Sequence, residues 1–162
     1  MPPRVDAATR RVRAAPADVW HAFASAQAMQ AWMPPQGMRG EMLAFDFREG
    51  GAYRLRLVYE DARHMQGKTS QDADEVEVRL AKLVPERCIV QTCIFDSEDP
   101  AFAGEMRMTW TFEHLEDGHT QVSVRCENVP VGIREEDHQA GLASTLANLA
   151  SFVEARARRY RT

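Results

Sequence analysis

The side chains best able to do chemistry near neutral pH are three cysteines, Cys88, Cys93 and Cys126, and five histidines, His21, His64, His114, His119 and His138. A thiolate is a nucleophile and a soft-metal ligand, and an imidazole is a general base or a metal ligand, but each needs partners at a suitable spacing. The cysteines are odd in number and form no C-x-x-C pair. Cys88 and Cys93, five apart, fall on opposite faces of a strand, so all three are expected as buried free thiols. His114 and His119 flank a turn and could face each other across a hairpin, but two ligands without a third make a poor zinc site and are expected on the surface. No G-x-S-x-G, H-E-x-x-H, phosphate-binding loop or G-x-G-x-x-G occurs. Neither a metal nor a cofactor is expected, and catalysis without one of these signatures stays open.

The elements that would position a site follow from hydrophobic period. Residues 4–14 carry Val5 and Val12 among arginines and read as a strand. Pro16, followed by Asp18, suits a helix start, because its missing N–H has no partner there and the acid faces the positive end of the dipole. Val19, Trp20 and Phe23 form its apolar stripe, and a second short helix is predicted from Ala26 to Trp32, stopped by Pro34-Pro35. The period then becomes two. Leu43, Phe45 and Phe47 alternate with polar or small residues, and after the Gly50-Gly51 turn come Tyr53, Leu55, Leu57 and Tyr59 alternating with Arg54 and Arg56. Residues 60–74 are polar and read as a mobile connection. Val76, Val78 and Leu80 lead through Pro85-Glu86 to the apolar run 88–95. Met106, Met108, Trp110 and Phe112 lead through Asp117-Gly118 to Val122, Val124 and Cys126.

Acids at 135–137 and arginines at 156, 158, 159 and 161 mark the two ends of a long helix over 134–158, with Leu142, Leu146, Leu149 and Val153 on one face. About 25 residues at 1.5 Å each span roughly 37 Å, enough to cross an antiparallel sheet. One helix roughly 10 Å wide cannot cover about seven strands spaced near 4.8 Å unless the sheet curls around it. The expected fold is therefore α+β, a curved antiparallel sheet wrapped on a long C-terminal helix, with an apolar concavity between them as the candidate site.

Several short segments carry a resemblance in this order: Val19-Trp20 after Pro16, Trp32 before Pro34, Gly50-Gly51-Ala52-Tyr53-Arg54, Pro85-Glu86-Arg87, and Thr109-Trp110-Thr111-Phe112 leading to Gly118-His119-Thr120. Together they resemble the Hsp90 ATPase activator homologue family of the START-like (SRPBCC) superfamily, over nearly the whole chain. The resemblance implies a helix-grip (START-like, Bet v 1-like) fold with a deep hydrophobic pocket. Relatives often carry Gly-Trp early in the long helix, where this chain has Gly141-Leu142, which implies a wider pocket. A glycine inside a helix costs ~1 kcal/mol against alanine, so close approach of Gly141 to sheet or ligand is expected.

The expected lining is Trp32, Tyr53, Leu55, Leu57, Tyr59, Met106, Met108, Trp110, Leu142 and Leu146. Methionine adapts to irregular shapes, and tyrosine adds a hydroxyl that can orient a ligand. Gln91, an amide in an apolar run, needs a hydrogen-bond partner if buried, and His64 with Gln66 on the polar connection would form a lid. No paired carboxylates lie on the inward stripes, which favours binding of a small hydrophobic or aromatic molecule over catalysis. A cyclase- or dehydratase-like enzyme is the alternative, with Tyr59, His64 and Gln91 as its proton donors. Stimulation of an Hsp90-type chaperone ATPase is the other. Eukaryotic namesakes carry a further N-terminal domain for which this chain has no room, so stimulation is expected to be absent.

The 162 residues, 44% apolar and 27% charged with a net charge of −4, suit one soluble domain over 1–162 that needs neither disulfide nor metal. Mild acidity argues against nucleic acid, and no apolar run reaches the ~18 residues of a membrane helix or forms a secretory leader. A cytoplasmic protein is expected. Its candidate partners are a small hydrophobic ligand, a chaperone and a second copy of the chain as a homodimer.

Overall fold

A computed structural model describes residues 4–35, 37–60, 73–94 and 98–159. Its elements are β1 (Val5–Val12), α1 (Pro16–Ala24), α2 (Ala26–Trp32), β2 (Met38–Phe45), β3 (Ala52–Tyr59), β4 (Ala73–Val84), β5 (Cys88–Ile94), β6 (Glu105–His114), β7 (Thr120–Glu127) and α3 (Glu135–Arg159). The strands form one curved sheet in the order β1-β7-β6-β5-β4-β3-β2, every neighbouring pair antiparallel. Hairpin connections between sequence neighbours produce β2 to β7, and β1 completes the sheet beside β7. The fold is the expected α+β helix grip.

Local chemistry explains the helices. Pro16 opens α1 with Asp18 in its first turn. Ser25 ends α1 and caps α2, its hydroxyl accepting from the Ala28 N–H at 3.2 Å. The Trp32 indole N–H donates to the Ala22 carbonyl at 2.9 Å, tying the end of α2 back to α1. α3 begins on Glu135, Glu136 and Asp137, as the dipole favours. Its stripe of Leu142, Leu146, Leu149 and Val153 is buried in the core. α3 packs most closely on β1, α2 packs on β2, and α1 joins the two helices and meets β6. The helices thus bridge the two edges of the sheet, while the backbone of α3 makes little close approach to β3–β6.

Two β-bulges reset the strand phase. One falls between Met42 and Ala44, the other between Leu80 and Lys82. The first corrects the expected Leu43, Phe45, Phe47 face: Leu43 is the extra residue and is 48% exposed, while Met42 and Phe45 pack on the core. In β1, Val5 and Val12 are seven apart and cannot share a face. Val12 is buried, Val5 is exposed, and the inward position beside Val5 is taken by Asp6. At the β2–β3 turn Gly50 adopts φ +82°, and a Cβ on Gly51 would sit 2.2 Å from the Asp46 carbonyl oxygen, so the Gly-Gly pair is dictated by backbone geometry.

Candidate functional site

Register converts the strand pattern into rows of side chains across the concave face. One row runs Phe45, Tyr53, Val78, Cys93, Met106. The next runs Leu80, Gln91, Met108, Cys126, Asp6, and a third runs Leu83, Ile89, Trp110, Val124, Ala8. Four sulfur-bearing side chains, Cys93, Met106, Met108 and Cys126, therefore occupy adjoining positions on β5, β6 and β7, beside the amide of Gln91.

Of the expected lining, Tyr53, Leu55, Gln91, Met106 and Trp110 lie buried together on the concave face, with Met108 half-buried among them. Trp32 meets them from α2. Its ring lies 6.5 Å from Trp110, and Phe23 of α1 stands 5.0 Å from each indole, edge-on in both cases. Leu142 and Leu146 face the same core from α3. Leu57 and Tyr59 lie half-buried farther along β3. His64 and Gln66 lie outside the described residues. Gly141 departs from expectation: it is exposed on α3, and a Cβ there would meet nothing within 4 Å among the described residues, so no close approach by them explains it.

Gln91, only 3% exposed, has the partner its burial requires. The Trp110 Nε1–H donates to its Oε1 at 3.2 Å, and the same amide acts on the nearby Tyr53 phenol. Burial pushes the Tyr53 phenol well above its usual range, outweighing the opposite pull of Gln91. Burial likewise raises the Cys93 thiol to about 11, with Glu105 adding to the effect, and the Cys126 thiol to about 12, with Asp6 and Cys93 adding to it. These thiols stay protonated at neutral pH and are poor nucleophiles. Cavities bordered by described residues include one of about 140 Å³ between α1 and α3, reaching His21, Phe152 and Arg156. Another, of about 110 Å³, lies against β4–β6 near Glu77, Arg79 and Glu105. Both are smaller than the ~300–1,000 Å³ of a usual ligand site, and neither is bordered by a residue of the expected lining.

Sequence reasoning missed the cluster that seats α3. Asp6, 1% exposed, accepts from Arg4 at 2.8 and 3.2 Å and pairs with His138 Nδ1 at 2.6 Å, while Arg4 also donates to the Ile133 carbonyl at 2.5 Å. The guanidinium of Arg4 holds the Asp6 carboxyl below the usual carboxylate range despite burial, and His138 adds to the effect. The available signal was parity: Asp6 shares the inward phase of Ala8 and Val12, where an acid needs a cation. At the opposite end of β1, Arg11 pairs with Asp117 and hydrogen-bonds His119, which places that histidine at the surface end of the β6–β7 hairpin.

The sequence profile of the Activator of Hsp90 ATPase homolog 1-like protein family matches residues 13–154. The chain belongs to that family. Solved structures repeat the architecture. A protein of Chromobacterium violaceum is 29% identical, with 93% of this chain and 96% of that chain covered and a TM-score of 0.78. The AHSA1 protein of Silicibacter pomeroyi is 15% identical, with 94% and 99% covered and a TM-score of 0.74. A Nitrosomonas europaea protein is 12% identical, with 94% and 95% covered and a TM-score of 0.73. At the latter two identities the likeness concerns the fold. No curated protein matches the chain significantly. Among the described residues, no helix is long and apolar enough to cross a membrane.

Proposed function

We propose that this member of the family binds a small hydrophobic or aromatic molecule between the concave sheet and α3. The observation that carries the reading is the Trp110–Gln91–Tyr53 trio. A sheet interior that only had to pack would be served by apolar side chains, whereas a buried amide and phenol cost stability unless their polarity is used. The trio lies among methionines that adapt to irregular shapes, under strands that the α3 backbone keeps away from. Three free cysteines are in keeping with a reducing compartment, and the reading places the protein in the cytoplasm. Native mass spectrometry of the purified chain tests it: a retained small molecule supports binding, and a bare mass together with no thermal response to a panel of apolar aromatics rejects it.

The family description favours a second reading, stimulation of an Hsp90-type chaperone ATPase. An ATPase assay with the cognate chaperone separates the two, because a faster turnover on adding this chain, independent of any apolar ligand, supports stimulation and places the working surface outside the sheet interior.

A further inference from the structure

Sulfur is concentrated on one part of the concave face. Cys93 on β5 stands directly opposite Met106 on β6, and two residues further along β6 Met108 stands directly opposite Cys126 on β7. All four side chains pack in or against the same core. Directly opposed residues have Cβ atoms about 4.5–5.5 Å apart, and their diagonal neighbours are still within reach of a long side chain. Methionine carries its sulfur on a chain with three rotatable bonds, so Met106 and Met108 can both turn a thioether toward a thiol beside them. The two thiols cannot join each other: β6 separates β5 from β7 by roughly 9–10 Å of backbone, beyond the reach of a disulfide. One small ion is likewise served by one thiol. Cys93 is the better placed, because it is half-buried, as is Met108, and both reach solvent, whereas Cys126 is fully buried opposite the acid Asp6.

We propose that Cys93, Met106 and Met108 form an all-sulfur site for a soft monovalent cation, Cu(I), on the concave face. One thiolate with two thioethers is a soft donor set. It suits Cu(I) and not zinc, whose protein ligands are thiolate, imidazole and carboxylate, nor magnesium or calcium, which take oxygen. On binding, the Cys93 thiol gives its proton to solvent and a copper–sulfur bond forms in its place, while the thioethers donate lone pairs and copper stays in its +1 state. One cation with one thiolate is uncharged, as a largely buried position requires. The site also accounts for methionine at two inward positions of β6, where leucine of similar volume would pack as well. It is independent of the apolar-ligand reading above.

Anaerobic titration of the full chain with Cu(I) against the chromophoric chelator bathocuproine disulfonate reads the affinity. One ion per chain is expected, with X-ray absorption at the copper edge showing a first shell of sulfur alone. Cys88→Ser removes the half-buried thiol on the opposite side of β5 and should leave the affinity unchanged. Cys93→Ala and the volume-conserving Met108→Leu should each weaken binding roughly tenfold or more, because each removes one donor. Failure of the chain to take Cu(I) from the chelator overturns the site, as does an affinity indifferent to Cys93→Ala or to Met108→Leu. A loss seen with Cys88→Ser, or with Cys126→Ala in place of Cys93→Ala, overturns it as well, and each of these results leaves apolar binding standing. Thermal melts report whether the variants fold. Where they do not, the copper-edge spectrum of the native protein decides alone, and nitrogen or oxygen in the first shell overturns the proposal.

Discussion

Asp6 and Gln91 are two of the polar side chains that the concave face buries with defined partners, and each has a consequence for stability. The folded pKa of Asp6 lies below its unfolded value, chiefly through Arg4. Its contribution is therefore fully present above the unfolded pKa of ~3.9 and is lost as pH falls through the folded value. Asp6→Asn should cost about 1.5–3 kcal/mol at pH 7, the range for hydrogen bonds to charged groups. Urea unfolding from pH 7 downward should show the gap between native protein and variant closing once the pH drops below about 4. A gap that stays constant to pH 2 contradicts the pairing. Gln91→Leu keeps the volume but leaves the Trp110 N–H without its acceptor, so a loss of about 1–3 kcal/mol is expected. For a chain of this length, that is a fall in melting midpoint of roughly 2–12 °C. Gln91 was legible as a polar residue in an apolar run, but its partner was not, because Trp110 lies 19 residues away and only the β5–β6 register joins them.

Elements were legible where the hydrophobic period ran uninterrupted. α1 starts at the predicted Pro16, and α2 and α3 fall on the predicted spans to within a residue or two, since proline, serine and acidic starts act locally. The faces of β1 and β2 were misread where a one-residue bulge or an odd spacing inverted the phase, which alternation by eye cannot detect. Two glycines separate backbone necessity from tolerance. Gly51→Ala forces a Cβ onto the Asp46 carbonyl and should lower stability by about 1–3 kcal/mol. Gly141→Ala meets open space in an exposed helix position and should raise it by about 1 kcal/mol, or ~2–4 °C in a thermal melt. A destabilised Gly141→Ala would show that something does approach α3 there.

At the scale of the whole molecule, the seven-stranded sheet is closed by helices that run from its β1 edge to its β2 edge, and ligand binding should be read through global stability. A ligand of the proposed class at 100 times its Kd stabilises the native state by ~2.7 kcal/mol, which corresponds to a midpoint shift of roughly 5–11 °C. Leu142→Trp enlarges a side chain that faces the shared core from α3. The variant should fold and should lose most of that shift for the larger ligands, as measured by differential scanning fluorimetry. An unchanged shift would show that Leu142 does not border the binding site.

The sequence by itself determined the order of the elements, the apolar stripe of α3, the curling of the sheet and the set of strands that supply the concave face, because periodicity, turn chemistry and helix caps act over a few residues. It also singled out Tyr53, Gln91, Met106, Met108 and Trp110 one at a time. Only the tertiary structure decided that Trp110 donates to Gln91 beside Tyr53, that Cys93 and Cys126 flank the two methionines, and that Asp6 anchors α3 through His138 at a sequence separation of 132. Such neighbours are set by inter-strand register and by the seating of α3 on β1, and a shift of one residue in either would replace every partner.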